Sequence, residues 1–456
     1  MKSKSGSSRS EIKLKAGLRP SALGKLKTRT IKVDYLARVE GEGALLIKTK
    51  GKKIERVEFK IFEPPRYFEA LLRGRDLTEA PDITSRICGI CPIAYQMSSV
   101  QAMEAALGIE VSAEVKALRR LIFCGEWIES HTLHVYMLHA PDFLGFEDAI
   151  KMAQKFPQLV TDGLQLKKLG NDLMTLVGGR EIHPINVRVG GVYKLPDPSL
   201  LKKMLEPLKR AREIAQNTVK FVSQLDIPDF ERDYEFVSMQ HPEEYPINSG
   251  RLVSNKGLAI EVSDYLDHFE EIHVERSNAL HSIIKARGEY LVGPQARYFH
   301  NEERMPEIVK QLARDIGFKR EDCRNPFKSI IVRSLEILFS CEESIRIIEN
   351  YLGAGAPSVA YQAKAAVGHA CTEAPRGILY HRYEIGLDSK IIEAKIIPPT
   401  SQNQKSIETD LFGVVQKYFL APTEDLRHRC EQTVRNYDPC ISCATHFLKI
   451  ETEDVG

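Results

Sequence analysis

The first patterned stretch of the chain alternates apolar and polar residues. Apolar side chains recur through residues 31–36, 44–47 and 57–61, with a turn around Gly51 between the last two runs. Alternation of this kind is typical of strands that bury one face. Residues 31–63 are therefore predicted to form an antiparallel β-meander. Pro64 and Pro65 end it, and a short helix is predicted to follow over 66–73.

The middle of the chain changes to helical spacing. Pro92 suits a first helical turn, apolar residues follow at helical intervals, and Gly108 ends this helix. Further helices are predicted over residues 112–139 (ended by Pro141), 151–176, 200–225, 303–316 and 330–352. Residues 92–370 are thus mainly helical, and 376–400 contain a hairpin of strands 380–385 and 391–397. The predicted fold class is α+β, mainly helical: a long-helix bundle with peripheral antiparallel sheets.

Composition and charge narrow the classes of function. With 456 residues, 43% of them hydrophobic, the chain can bury a large core, and a net charge of +2 gives no strong field toward nucleic acid or a membrane surface. Up to Arg29 there are nine Lys or Arg and one acid, so residues 1–30 are predicted to be a disordered basic tail. We find no apolar run for a membrane span or an export signal. Nine cysteines, an odd number, then indicate a reducing, cytoplasmic location.

Two cysteine pairs carry the candidate chemistry. Cys88 and Cys91 form one C-x-x-C motif, and Cys440 and Cys443 form another about 350 positions later. Two such pairs can give one metal four sulfur ligands, although zinc ribbons keep their pairs close in sequence. Each pair is predicted to begin a helix, the second with Asp438 as N-cap, where the helix dipole lowers thiol pKa values. The other five cysteines lack such spacing and are predicted to be small buried hydrophobic residues.

The residues alone leave the metal open. Four thiolates suit zinc or an iron–sulfur cluster, and structural zinc is the usual occupant in cytosolic chains. A zinc-stapled scaffold that binds other proteins is therefore one alternative function. The long gap between the pairs favours a buried cofactor instead.

Motifs along the chain resemble those of one family. Arg-x-Cys-Gly-x-Cys at residues 86–91 and Asp-Pro-Cys-x-x-Cys-x-x-His at 438–446 resemble the large, catalytic subunit of [NiFe] hydrogenases. Further matching segments are residues 38–41 (RVEG), 68–76, 178–184 (GGREIHP) and 373–377 (EAPRG). The resemblance spans residues 31–446 and implies a single large catalytic domain with that family's fold. Residues 398–404 (PPTSQNQ) are similar to the cytosolic, bidirectional, NAD(P)-linked sulfhydrogenase branch.

The resemblance implies a nickel–iron centre that splits dihydrogen reversibly. Cys88, Cys91, Cys440 and Cys443 would bind nickel, and Cys91 and Cys443 would also bridge to an iron that carries two cyanides and one carbon monoxide. Cys440 would accept the proton, and Glu40 would transfer it outward. Arg376, faced by Asp438, would lie over the centre. Thr400 and Ser401 would hydrogen-bond a cyanide.

The resemblance also implies a second metal and a processed end. Glu69, His446 and a backbone carbonyl near Ile396 resemble the ligands of a buried magnesium, for which iron is the alternative. Residues 447–456 resemble an extension that a maturation endopeptidase removes after His446.

The chain departs from many membrane-linked relatives at several positions. Ser130 stands where they carry an aspartate near the arginine, so a mechanism with two carboxylates around Arg376 is in doubt. Glu42 and Tyr95 stand where histidine is common. The nearby histidines, His131, His134 and His139, are predicted to be core or interface residues, because no metal-ligand spacing supports them.

The implied function needs partners. The electrons of dihydrogen would leave through an iron–sulfur small subunit, then through flavin-containing subunits to NAD(P), since this chain itself is expected to bind no iron–sulfur cluster, flavin or nicotinamide. Gly-rich nucleotide loops are absent from the sequence. A second alternative is a coupling subunit like the hydrogenase-derived one of respiratory complex I. That lineage has lost the cysteines, and this chain keeps all four.

Overall fold

The computed structural model describes residues 28–51 and 53–445. Its strands are β1 Thr28–Val33, β2 Gly43–Lys50, β3 Lys53–Ile61, β4 Val187–Arg188, β5 Gly191–Val192, β6 Val237–Gln240, β7 Arg251–Ser254, β8 Ala259–Ile260, β9 Phe269–Val274, β10 Ser277–Ile284, β11 Ala366–Ala374, β12 Gly377–Ile385 and β13 Ile391–Ile397. β1 begins inside the predicted tail. Residues 1–27, His446 and the extension 447–456 lie outside the described residues.

The helices make up the larger part of the fold. They are α1 Phe68–Leu72, α2 Ala80–Ser85, α3 Pro92–Leu107, α4 Ala113–Thr132, α5 Ala140–Leu144, α6 Ala149–Lys155, α7 Pro157–Gly178, α8 Pro198–Lys202, α9 Leu205–Val222, α10 Tyr265–His268, α11 Pro294–Asn301, α12 Glu307–Asp315, α13 Ser329–Asn350, α14 Pro399–Lys417, α15 Thr423–Arg435 and α16 Ile441–Ala444. The mainly helical α+β class is therefore confirmed.

Some predicted helices are interrupted. The helix predicted over 112–139 runs as α4 and then widens into a π-helical stretch, Leu133–His139. Pro141 does not end this run but lies in the first turn of α5. The helix predicted over 151–176 is two helices, because Pro157 lacks a backbone N–H and starts α7 after the non-helical Phe156.

α4 lies at the centre of the helical bundle, between α7 and α13. It approaches α7 closely where Gly125 faces Gly170, since a Cβ built on Gly170 would lie 2.6 Å from the Gly125 carbonyl oxygen. Two glycines thus allow the helix backbones to touch. Trp127, fully buried on α4, packs its ring against those of Tyr245 and of Phe339 on α13.

The sheets lie around this bundle. The predicted meander is confirmed as the antiparallel sheet β1–β2–β3, with Leu45 of β2 opposite Phe59 of β3. The predicted hairpin is β12–β13, and it gains a third strand, β11, that the sequence pattern did not reveal. The strands β6 to β10 also lie in the region predicted to be mainly helical. β6 is buried along almost its whole length, so it shows no alternation.

The first and last segments of the described chain meet. Glu40 and Cys440 form a parallel β-bridge, and the Ile441 N–H donates to the Glu40 carbonyl oxygen at 2.9 Å. The Arg66 N–H donates to the Thr445 carbonyl oxygen at 2.7 Å. These bonds bring the C-terminal cysteine pair to the N-terminal sheet. Within the described part, no helix has the length and apolar character that crossing a bilayer requires.

Candidate active site

The four cysteines of the two motifs come together in the interior as one cysteine cluster (Cys88, Cys91, Cys440 and Cys443). The Cys440 sulfur lies 2.7 Å from that of Cys443 and 3.5 Å from that of Cys88, and these three sulfur atoms lie within 4.8 Å of one another. The Cys91 thiol interacts with all three. All four residues are buried.

The N-terminal pair is placed by the start of α3. Cys91 is the N-cap residue and Pro92 the first helical residue, as predicted. The backbone N–H groups of Ile90 and Cys91 both point at the Cys88 sulfur, at 3.3 Å. These two N–H groups therefore favour negative charge on the Cys88 sulfur.

The C-terminal pair is placed differently from the prediction. Asp438 is not an N-cap: its backbone is left-handed, with φ 51°, and the last helix, α16, begins only at Ile441 with Cys440 as N-cap. The Asp438 carboxylate instead contacts Arg376 and is not available to helix amides. Cys440 thus lies at the helix start and Cys443 within it.

The predicted lowering of thiol pKa values holds for Cys88 but not for Cys91, Cys440 or Cys443, whose pKa values are raised. Hydrogen bonds from Cys440 and Cys443 lower the pKa of Cys88 well below its usual range. Burial, followed by the neighbouring thiols, raises the pKa of Cys440. Burial also raises the pKa of Cys443, against the opposing effect of its hydrogen bond with Cys440. Several thiols of the cluster therefore lose their protons only when a cation lies among the sulfur atoms. A soft divalent metal is the cation that this set of ligands suits.

Glu40 contacts the cysteine cluster directly. Its Oε2 accepts a hydrogen bond from the Cys440 thiol at 3.0 Å and another from the Ser442 N–H at 3.1 Å. The side chain is half-buried, so it connects the buried sulfur to the outer part of the molecule. This geometry suits a carboxylate that exchanges a proton with Cys440.

Arg376 is buried beside the cluster and is held by Asp438. Its Nε donates to the Asp438 carbonyl oxygen at 2.6 Å, and its Nη2 donates to the carboxylate at 3.1 Å. The Asp438 carboxylate and the thiols of Cys440, Cys91 and Cys88 raise the pKa of Arg376 against the opposing effect of burial, which is the largest single contribution. The guanidinium therefore stays charged.

Two of the residues predicted to contact the diatomic ligands each have a polar hydrogen without a protein acceptor among the described residues. Nη1 of Arg376 and the Ser401 hydroxyl are both buried without a hydrogen-bond partner there. Thr400 is engaged, since its hydroxyl accepts the Cys440 N–H at 3.0 Å. Buried donors without acceptors are rare in proteins. Four sulfur ligands and two spare donors fit a nickel–iron centre with two cyanide ligands.

The predicted magnesium ligands are only partly brought together. Glu69 Oε1 accepts the Ile396 N–H at 2.8 Å, so this carboxylate and the Ile396 backbone are neighbours. Lys395 lies 3.7 Å from the same oxygen and supplies a positive charge there. Burial raises the pKa of Glu69. With His446 outside the described residues, magnesium or iron at this place stays a prediction.

The three positions that depart from the relatives have different surroundings. Ser130 is buried and its hydroxyl has no partner in the described part of the chain, which leaves Asp438 as the carboxylate bonded to Arg376. Burial, and then the four thiols, raise the pKa of Tyr95 well above its usual range. Glu42 lies beside Glu63, whose carboxylate accepts the Glu42 N–H at 3.1 Å.

The three histidines are core residues, as expected. His131 Nε2 lies 2.8 Å from a Glu336 carboxylate oxygen, and His134 Nε2 lies 2.7 Å from the Arg435 carbonyl oxygen. The His139 ring packs between those of His134 and Phe143. Burial lowers the pKa of His139 to about 3, so this ring is neutral at pH 7.

No sequence signal indicated Glu126, which the structure places at the start of α3. Its buried carboxylate accepts the Ile93 N–H at 2.6 Å and the Ala94 N–H at 3.2 Å. Burial raises the pKa of Glu126 well above its usual range. The carboxyl group satisfies amides next to Cys91 from the neighbouring helix α4, a contact that no local pattern could reveal.

Comparison with known proteins gives the class of protein that this fold and site define. The family model for nickel-dependent hydrogenases matches residues 66–164 and 285–446. The chain belongs to this family, as its large, catalytic subunit.

Two similar relatives cover nearly the whole chain. The alpha subunit of sulfhydrogenase 1 from Pyrococcus furiosus is 32% identical over 427 residues, which are 92% of this chain and 98% of that protein. The alpha subunit of coenzyme F420 hydrogenase from Methanosarcina barkeri is 26% identical and covers 94% of this chain and 98% of that protein.

A solved structure has the same fold. The NAD⁺-reducing [NiFe]-hydrogenase in its H2-reduced state superposes with a TM-score of 0.85, at 24% identity, and covers 92% of this chain and 99% of that chain. The predicted [NiFe] hydrogenase large-subunit fold is confirmed.

Proposed function

We propose that the cysteine cluster holds the nickel–iron centre and that Glu40 carries protons from it. The observation that carries this proposal is the convergence of both cysteine pairs with a carboxylate oxygen 3.0 Å from the Cys440 sulfur. When bound, the bimetallic centre supplies a Lewis acid that polarises dihydrogen toward a proton and a hydride. Cys440 accepts the proton, and Glu40 receives it from that sulfur.

The charged residues around the cluster have supporting roles. Arg376 holds a permanent positive charge and one spare donor toward the cyanide side of the centre, and Asp438 fixes its orientation. Ser401 supplies the second spare donor, and Thr400 holds the Cys440 backbone. With the centre bound, these two spare donors would hydrogen-bond its cyanide ligands.

Electron transfer requires a partner, because the described part of the chain shows one candidate metal group, the cysteine cluster, and this group is buried. An iron–sulfur small subunit would accept the electrons, and flavin-containing subunits would pass them to or from NAD(P). The fold shared with an NAD⁺-reducing hydrogenase and the 32% identity to a sulfhydrogenase alpha subunit support this acceptor. The cytoplasmic location expected from the sequence stays a prediction.

A cysteine variant tests the metal assignment. Purified enzyme should contain nickel and iron and show infrared bands of bound cyanide and carbon monoxide. Cys443→Ser should lose the bridging sulfur and reduce dihydrogen oxidation to background. The matched control is Cys430→Ser, a buried cysteine outside the cluster, which should keep both bands and turnover. Zinc without nickel in the wild type, or normal turnover by Cys443→Ser, would overturn the proposal.

We also propose that the precursor loses its last residues after His446. The support is the position of residues 447–456 directly behind the Cys-x-x-Cys-x-x-His motif. Intact-mass measurement of the nickel-loaded enzyme should give a chain that ends at His446. A mass that includes all 456 residues would contradict the proposal.

A further inference from the structure

A fully buried arginine lies behind the loop that carries Arg376. Arg297, on α11, is buried between two carboxylates from other elements, Glu336 on α13 and Glu373 on β11. Its Nε and Nη2 donate to the two oxygens of Glu336, each at 2.8 Å, and its Nη1 donates to Glu373 at 3.0 Å. Its guanidinium also lies over the Trp127 ring, 4.4 Å from the centroid.

The same guanidinium binds the backbone next to Arg376. Nη1 also donates to the Ala374 carbonyl oxygen at 2.8 Å, and Nη2 to the Pro375 carbonyl oxygen at 2.9 Å. Together with the carboxylate bonds, this uses all five N–H donors of the guanidinium. Since the two Arg297 donors that face the hairpin bind carbonyls one and two residues before Arg376, Arg297 fixes the backbone from which Arg376 extends.

The helix that carries Arg297 also touches the other side of this loop. Pro375 and Arg376 form the two-residue turn between β11 and β12, whose last pair is Ala374 and Gly377. A Cβ built on Gly293, just before α11, would lie 2.7 Å from the Arg376 carbonyl oxygen, and one on Gly377 would lie 2.8 Å from the Gly293 nitrogen. The turn is thus held between Gly293 and Arg297.

We propose that Arg297 is a positioning residue that sets where the Arg376 guanidinium lies over the cysteine cluster. This inference rests on the proposed role of Arg376. The Arg376 side chain has one protein anchor at its outer end, Asp438, while its Nη1 has no partner among the described residues. The place of Nη1 is therefore determined by Asp438 at one end and by the turn at the other.

Arg297→Lys separates the effect of the buried positive charge from the effect of the bonds that hold the Arg376 turn. It keeps the positive charge between Glu336 and Glu373, but its single ammonium cannot reproduce a planar fork with five donors. The bonds to the Ala374 and Pro375 carbonyls would be lost or redistributed. The turn then shifts, and Nη1 of Arg376 moves with it. A misplacement of about 1 Å at a reacting centre can reduce the rate about 100-fold.

The experiment compares Arg297→Lys with the wild type in the complete, metal-loaded enzyme complex. We expect the infrared bands of the bound cyanides to shift, because Nη1 of Arg376 is the spare donor on their side. Nickel content should stay at the wild-type level. Turnover should fall between about 10-fold and 100-fold, with kcat affected more than KM for dihydrogen.

The chain offers a matched control. Arg119 is buried and donates two bonds to Glu104, at 2.7 and 2.6 Å, and two longer ones to backbone carbonyls of Arg188 and Gly191. It has the same chemistry as Arg297 but binds no residue of the Arg376 turn. Arg119→Lys should lower the melting temperature to a similar extent and leave the cyanide bands unshifted.

The outcomes distinguish this inference from the proposed function. If Arg376→Lys shifts the cyanide bands and Arg297→Lys does not, the inference is overturned and the proposed function stands. If Arg376→Lys leaves the bands in place, the proposed role of Arg376 fails and the inference with it. Equal shifts in Arg297→Lys and Arg119→Lys would show a general structural effect and overturn the inference. If Arg297→Lys does not assemble, Glu373→Gln is measured in its place, because it weakens one anchor of Arg297. It should shift the cyanide bands by less than Arg376→Lys does. The absence of any shift would overturn the inference.

Discussion

The Glu40 carboxylate reaches the Cys440 sulfur because backbone contacts fix both partners. The β-bridge between these residues and the Ser442 N–H bond to Oε2 leave the carboxylate one principal orientation. A proton on the sulfur therefore has an acceptor in place before catalysis begins.

Replacement of this carboxylate should separate hydrogen cleavage from proton export. Glu40→Gln keeps an oxygen acceptor for the Ser442 N–H but cannot take up a proton. We expect dihydrogen oxidation to fall by about 100-fold or more. The conversion of para- to ortho-hydrogen, which needs no proton to leave the site, should persist in the same preparation.

The neighbouring carboxylate supplies the control for this variant. Glu42 lies two positions further on, and no bond between it and a cysteine is present in the described part of the structure. Glu42→Gln should turn over at nearly the wild-type rate. Full activity of Glu40→Gln, or an equal loss in both variants, would exclude Glu40 as the proton carrier.

At the residue scale, sequence motifs indicated side chains that the structure brings together. The two cysteine motifs and Glu40 meet in the interior, while the roles of these residues stay predictions. The predicted N-cap at Asp438 was wrong, because Asp-Pro before a helix is a typical start signal and does not show the left-handed backbone. The family resemblance did imply that Asp438 faces Arg376, and the structure has this contact. Glu126 and Arg297 act through distant contacts that no spacing encodes.

At the scale of elements, Gly41 holds the N-terminal sheet against the last helix. It has φ +90°, and a Cβ there would lie 2.7 Å from the Ile441 Cβ and 3.0 Å from the Ser442 nitrogen. A side chain at this position would push the segment of Glu40 away from the segment of Cys440. The close approach therefore depends on glycine.

Gly41→Ala should consequently destabilise the protein and the site together. We expect a loss of about 2–4 kcal/mol in the free energy of unfolding from strain and overlap. Gly74→Ala is the control, because Gly74 also has a positive φ, +76°, but nothing within 4 Å of its Cβ position. It should cost only about 1 kcal/mol. Urea denaturation of both variants measures the difference, and equal losses would refute the packing argument.

The helices were predictable from their ends more than from their interiors. α3 starts at Pro92 and ends at a left-handed Gly108, as these two residue types indicated. The π-helical stretch Leu133–His139 was not predicted, because its residue types do not distinguish a π-helix from the α-helix that it continues. β11 escaped prediction because its inner half is buried on both faces and so lacks a period of two.

At the scale of the whole molecule, buried charges make stability depend on pH. Burial raises the pKa of Glu373 to about 7, so the folded protein keeps this proton over a range in which the unfolded chain has lost it. Burial also opposes the charge on Glu336, but Arg297 and His131 outweigh it and lower the pKa of Glu336 to about 2. The two carboxyl groups therefore change the free energy of unfolding in different pH ranges and in opposite directions as the pH rises.

Glu373 should lower stability as the pH rises. Between its usual value of 4.5 and about 7 the folded state binds more protons than the unfolded state, so the free energy of unfolding falls by on the order of 3 kcal/mol. Glu373→Gln should lose this slope in urea denaturation at pH 5 and pH 8.

Glu336 provides the contrasting case. Its stabilising contribution is present above about pH 4.5 and is lost as the pH falls toward 2. Glu336→Gln should therefore remove part of the acid-induced loss of stability and leave the slope between pH 5 and 8 intact. An unchanged slope in Glu373→Gln would show that another group titrates in that window.

The overall architecture could be predicted from the sequence only in part. Helical spacing indicated the class, and the two C-x-x-C motifs indicated one shared metal site, although they lie about 350 positions apart. Nickel and iron were implied only by the family resemblance. The strands between Val237 and Ile284 were missed for two reasons. β6 and β7 have only four residues each, and β10 is buried along most of its eight residues, so it shows no alternation.

The bridge between Glu40 and Cys440 has a consequence for folding. The two partners are 400 positions apart along the chain. The local helices can form before this contact, because closing so long a loop costs entropy before the contact stabilises anything. A complete set of four sulfur atoms therefore arises only with a long-range contact of the fold and not with any local element.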